Sequence, residues 1–84
     1  MRIIAGQARG TRLQAPPGRQ VRPTAERTRE AFASIVGPRV PGARVLDLCA
    51  GSGAVGLELW SRGAASVVFV ERSADVRRVL DENI

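Results

Sequence analysis

Histidine, lysine and tyrosine are absent from these 84 residues, and cysteine occurs once. A lone Cys49 cannot close an internal disulfide, and without histidine a His/Cys metal site is excluded, so no metal is expected. No run approaches the ~18 apolar residues of a membrane-spanning helix, and Met1 to Gly6 is too short an apolar stretch for a secretory signal. The expected location is therefore the cytoplasm. Aromatics are scarce, with two Phe and a single Trp60, so few side chains could stack on nucleobases. Internal repeats and low-complexity tracts are absent as well.

The lack of lysine makes all 13 basic residues arginine, and their placement says more than the net charge of +5. Through Arg44, nine arginines stand against Glu26 and Glu30, a balance of +7; from Val45 on, four arginines face six acids, a balance of −2. A polyanion is expected to meet the first half, because guanidinium groups displace counterions from phosphates and grip them bidentately. An arginine-rich genome would explain the missing lysine but not this asymmetry. With 44% apolar and 25% charged residues the composition is globular, although a chain this short buries only roughly 60% of its unfolded surface.

Residues 2–6 and 11–15 have the β-branched or alternating character of two short strands joined by Gln7-Ala8-Arg9-Gly10, which predicts a hairpin that must pack on something else. Pro16-Pro17-Gly18 breaks the chain, and Arg19 to Pro23 should run extended as a basic tether. Thr24 is placed to cap a helix over about 25–36, with Thr28, Phe32, Ile35 and Val36 as its buried stripe and Gly37-Pro38 as its stop. Arg44 to Leu48 reads as a buried strand, Cys49 to Gly53 as a tight loop, and a helix of about ten residues follows through Trp60. Ser66 to Glu71 is a second strand, with the near-continuous hydrophobicity of a parallel sheet buried on both faces. Ser73 then caps a helix whose apolar face holds Val76, Val79, Leu80 and Ile84. Strand, helix, strand is a right-handed βαβ unit. The domain division is a basic hairpin extension and tether over 1–23, followed over 24–84 by the first helix and an incomplete, cofactor-binding βαβ half.

The loop carries the chemistry. Gly51-x-Gly53-x-x-Gly56 fits a nucleotide fingerprint whose glycines let a ligand approach backbone N–H groups at a helix start. A dinucleotide site places a pyrophosphate there, whereas Asp47, four residues before Gly51, would repel one and suits a cation. S-adenosylmethionine carries an ammonium and a sulfonium. Glu71, 20 residues past Gly51, is placed to accept hydrogen bonds from ribose hydroxyls and argues only against a 2′-phosphorylated cofactor. The loop glycines with Asp47 and Glu71 are the candidate ligand-binding residues, and Cys49 is read as a small packed loop residue rather than a nucleophile. Two other readings stay open: an NAD-binding half-domain, and an RNA-binding module whose glycine loop is purely structural.

Arg2-Ile3-Ile4-Ala5-Gly6, Arg9-Gly10, Leu13, Arg22-Pro23-Thr24, Arg27, Arg29-Glu30 and Phe32, together with Leu46 to Glu58, resemble the bacterial RsmD family from the first residue to the last. That resemblance implies the N-terminal portion of a class I S-adenosylmethionine methyltransferase, a Rossmann-like α/β fold with a parallel sheet, preceded by a small β-hairpin extension. The implied activity is methylation of a guanine N2 in small-subunit ribosomal RNA, with ribosomal RNA as partner and S-adenosylmethionine as cofactor, the implied cofactor site falling on Asp47, Ala50, Gly51, Ser52, Gly53, Glu71 and Arg72. Arg2, Arg9, Arg12 and Arg19 would grip RNA, Arg22 and Arg27 would stand at the boundary with the active site, and Arg22 and Thr24 would lie near the reaction centre. The family's Asn-Pro-Pro-Tyr type motif, which holds the target amine, does not occur in these 84 residues, so no catalytic residue is assigned.

Overall fold

The computed structural model describes residues 1–15, 23–48 and 50–84, with side chains for all of these but 23–25. Its elements run α1 (Pro23–Val36), a 3-10 turn (Gly37–Arg39), β1 (Arg44–Leu48), α2 (Ala54–Ser61), β2 (Ser66–Val70) and α3 (Ala74–Asn83). The two strands pair in parallel with Val45 beside Val67, Asp47 beside Phe69 and Leu48 beside Val70, so the α2 crossover makes the expected βαβ unit. Alternation puts Val45, Asp47, Val67 and Phe69 on one face and Leu46, Leu48, Val68 and Val70 on the other.

Only the first of these faces is covered among the described residues. Val45 and Val67 pack against Ala33, Val40, Leu59 and Ala64, while Phe69 packs with Ile3, Leu13 and Leu57. Leu46 and Leu48 remain 61% and 64% exposed, so the described residues cover one face of the sheet expected to be buried on both. Helices α1 and α2 and the N-terminal segment all contribute to the same side.

Helix α1 starts at Pro23 rather than after a Thr24 cap, as suits a residue whose fixed φ is preorganised for a first turn. Its buried stripe is also shifted. Ala33 and Arg29 are buried, whereas Phe32 and Ile35 face outward and Thr28 is exposed. The small Ala33 side chain lets α1 approach Leu59 of α2, and Arg29 turns inward toward a buried acid described below. Gly37 is not among the glycines with positive φ. The helix therefore runs on into the 3-10 turn instead of ending in a left-handed cap, and Val40 N–H closes that turn on the Gly37 carbonyl.

The first fifteen residues form a narrow antiparallel ladder around an Arg2–Arg12 bridge, with Ile3 N–H donating to Thr11 O at 2.9 Å and Leu13 N–H to Met1 O at 2.8 Å. Ile3 and Leu13 point into the core against Leu57, each burial contributing about 1.5–3 kcal/mol. The tether with Arg19 and Arg22 lies outside the described residues. Helix α3 begins as expected, with Ser73 Oγ accepting from Val76 N–H at 3.4 Å, and buries Val79 and Leu80 while Ile84 stays exposed.

Candidate functional site

The glycine loop leaves the C-terminal end of β1 and is folded by its own hydrogen bonds. Ala50 N–H donates to Val70 O at 2.8 Å, tying the loop to the end of β2, and Gly53 N–H donates to Ala50 O at 2.9 Å. Gly51 and Gly53 both take positive φ, at +59° and +88°, a region that favours glycine. Their surroundings differ. A Cβ on Gly53 would lie 2.4 Å from Leu80 Cδ1, whereas one on Gly51 would meet nothing within 4 Å, so Gly51 is where a ligand can approach the backbone.

Both predicted acids engage this loop. Asp47 Oδ2 accepts from the Gly56 N–H in the first turn of α2 at 3.2 Å, so the positive end of that helix already faces a carboxylate. Burial pushes the Asp47 carboxyl above its ordinary range, and the Gly56 hydrogen bond pulls it partly back. Glu71 Oε1 accepts from Gly51 N–H at 2.8 Å and its Oε2 from Ser73 N–H at 2.9 Å. The chain thus brings Asp47, Ala50, Gly51, Ser52, Gly53 and Glu71 together at the strand ends, where ligands of open α/β sheets bind. Arg72 is the exposed residue next to Glu71, and Cys49 lies outside the described residues.

Gly56, the third glycine, serves packing. A Cβ there would come within 2.5 Å of Phe69 and 2.8 Å of Val67. Gly56→Ala is therefore expected to push α2 off the sheet and destabilise the protein by about 1–3 kcal/mol, the usual cost of overpacking. A denaturant midpoint equal to that of the wild type would contradict this close approach.

The basic segment is held by residues the sequence reading passed over. Glu58, 1% exposed, accepts from the backbone N–H of Ile4 at 2.8 Å and of Ala5 at 3.0 Å. Its carboxylate also receives Arg62 Nε at 3.0 Å and faces Arg29 Nε at 3.6 Å, an ion pair too long for a hydrogen bond. A second Arg29 nitrogen donates to the Arg2 carbonyl. Ser61 Oγ donates to Ala5 O at 2.7 Å and accepts from Ala8 N–H at 2.8 Å. Gly6, with φ +89°, lies so close that a Cβ would sit 2.1 Å from Ser61 O. The sequence signal for this dock was Glu58 itself, an acid inside the apolar run Leu57-Glu58-Leu59-Trp60 and four residues before Arg62.

Docked in this way, the ladder leaves a polar cleft of about 350 Å³ against α1, lined by Arg2, Arg9 and Arg27 with Glu26 and Glu30. Arg12 borders the adjoining cleft, which it shares with Arg2 and Glu26. Four of the predicted RNA-contacting arginines are thus exposed on one side of the molecule; Arg19, Arg22 and the Thr24 side chain lie outside what is described. No group of metal ligands occurs among the described residues.

Known proteins resemble the chain over nearly its whole length. The chain is 42% identical over 84 residues to the Escherichia coli (strain K12) protein named ribosomal RNA small subunit methyltransferase D, and 38% identical over 84 residues to Bacillus subtilis YlbH. It spans less than half the length of these curated relatives, 42% and 46% respectively. The solved structure of Escherichia coli yhhF superposes with a TM-score of 0.87 at 43% identity, covering 99% of this chain and 45% of that one. The architecture is accordingly the N-terminal part of a class I methyltransferase fold. The family described as Conserved hypothetical protein 95 matches residues 1–84, and the chain belongs to that family, the RsmD family.

Proposed function

We propose that the protein containing this chain methylates the exocyclic N2 of a guanine in small-subunit ribosomal RNA, with S-adenosylmethionine as donor. The observation that carries this reading is the charge at the loop. Asp47 places a carboxylate against the first turn of α2, where a pyrophosphate would be repelled and a cationic methionine moiety is accommodated. No side chain crowds the Gly51 backbone, and Glu71 stands beside it with carboxylate oxygens that each accept one backbone N–H and can accept a ribose hydroxyl as well. The residues therefore fit the cofactor, which when bound supplies an electrophilic methyl group on a sulfonium.

This chain's part in the reaction is positioning. The loop and its acids fix the donor, the docked arginines hold RNA phosphates, and orienting the guanine amine falls to a motif these 84 residues lack. Alignment of donor and amine accounts for the catalysis and no protein nucleophile is needed. Because phosphate contacts position rather than specify, single alanine replacements of Arg2, Arg9, Arg12 or Arg27 are expected to weaken RNA binding. Each should lower the slope of log affinity on log salt by about 0.7–0.9, as filter binding across a salt series would read. Unchanged slopes in all four would remove the arginine cleft from the interface.

A structural loop in an RNA-binding module is the second reading, favoured by the engagement of Glu71 with Gly51 and Ser73 amides. Incubating the complete protein with methyl-labelled donor and unmethylated small-subunit RNA, followed by nucleoside analysis, separates the two. Label in N2-methylguanosine is the expected result. Binding of RNA without any transfer supports the module.

A further inference from the structure

Asn83, the last residue of α3, makes three hydrogen bonds with its side-chain amide. Oδ1 accepts from Gln14 N–H at 2.7 Å, and Nδ2 donates to Gln14 O at 3.0 Å and to Ser52 O at 2.9 Å. Both amide protons and the acceptor are used, so the amide completes the second ladder strand as a backbone group would. The same amide reaches the carbonyl between Gly51 and Gly53, the two positive-φ glycines of the loop. Ser52 Oγ in turn donates weakly to Met1 Sδ at 3.8 Å on the other ladder strand, and Leu80, one turn before Asn83, packs where a Gly53 Cβ would be. The arginine-bearing ladder and the cofactor loop thus meet at one side chain.

From this juxtaposition we infer that Asn83 is a positioning residue coupling RNA engagement to cofactor affinity, an inference resting on the function proposed above. Two hydrogen bonds to a seated Gln14 orient the amide that holds the Ser52 carbonyl. Phosphates gripping Arg2, Arg9 and Arg12 hold the ladder in that seat, so bound RNA stabilises the loop conformation that receives the donor. Linkage makes the effect reciprocal: the cofactor tightens RNA by the same factor. Glu58 and Ser61 anchor the ladder to α2 at Ile4, Ala5 and Ala8, whereas Asn83 ties it to the loop.

The test is equilibrium dialysis of labelled S-adenosylhomocysteine against the complete protein, with and without small-subunit ribosomal RNA. In the wild type, RNA should tighten the nucleoside by about 5-fold or more, within the usual range of coupling between sites. Asn83→Asp keeps the shape but removes both donated hydrogen bonds, and should bring the ratio to one. Gln14→Pro weakens the link from the other side by removing the N–H that Asn83 Oδ1 accepts, changes no residue of the loop or of α3, and should lower the ratio toward one. A purely structural role would weaken both ligands and leave the ratio intact. A wild-type ratio of one, or a ratio surviving in either folded variant, overturns the coupling alone. Absence of S-adenosylhomocysteine binding by the wild type overturns the proposed function and this inference together.

Discussion

Glu58→Ala is expected to destabilise the protein by about 3–5 kcal/mol, because removing one partner of a buried ion pair strands the others. The side chain is almost completely enclosed, and its loss leaves Arg29 and Arg62 uncompensated and the Ile4 and Ala5 amides without their acceptor. Against a total stability of about 5–15 kcal/mol for a typical domain, that is a large fraction. The damage should also be local. The ladder loses its main polar anchor, so trypsin should cut at Arg9 and Arg12 before the rest of the chain unfolds. Denaturant titration together with timed proteolysis checks both effects. A loss below about 1 kcal/mol, or unchanged cleavage, would mean that Ile3, Leu13 and the Ser61 contacts hold the ladder without Glu58.

Replacing the loop acids should separate stability from binding. In Asp47 burial raises the pKa, so the folded state holds its proton more readily than the unfolded chain does. Its contribution to stability is complete below the unfolded value near 3.8 and is lost as pH rises through the folded value. Once ionised, the carboxylate therefore works against the fold. Asp47→Asn keeps an oxygen for the Gly56 N–H and sheds the charge, so its melting temperature should rise at pH 7 and gain nothing near pH 3. Its affinity for S-adenosylhomocysteine should nevertheless fall, by about 10-fold or more for a lost charge-assisted interaction. Glu71→Ala should cost about 10–100-fold in the same assay and should also free the Gly51 and Ser73 amides. Thermal melts at two pH values and calorimetric titrations measure these outcomes. A lower melting temperature for Asp47→Asn at pH 7 would show that the carboxylate is there for the fold.

The parts legible in the sequence were those governed by short-range pattern. The strands Arg44–Leu48 and Ser66–Val70, the glycine loop and the Ser73 cap fall where continuous apolar runs, glycine spacing and capping chemistry put them, the second strand ending one residue before the expected Glu71. Helix α1 was legible in extent but not in orientation, since Phe32 and Ile35 look like a core stripe until the small Ala33 and the inward-turning Arg29 claim the interface. The missed residues act over long sequence separations. Glu58 meets Ile4 across 54 positions and Asn83 meets Gln14 across 69, and no window-based pattern reports such pairs. The sequence also tells that Leu46, Leu48, Val68 and Val70 are apolar enough for a buried face, but not which elements cover it.

A loop between β1 and α2 shaped and charged for a sulfonium nucleoside should choose between nucleoside ligands. Calorimetric titration of the complete wild-type protein with S-adenosylhomocysteine, and separately with NAD, reads that choice. Saturable one-to-one binding of the first and no heat from the second is the predicted result. Binding of NAD, or silence toward both, would contradict it.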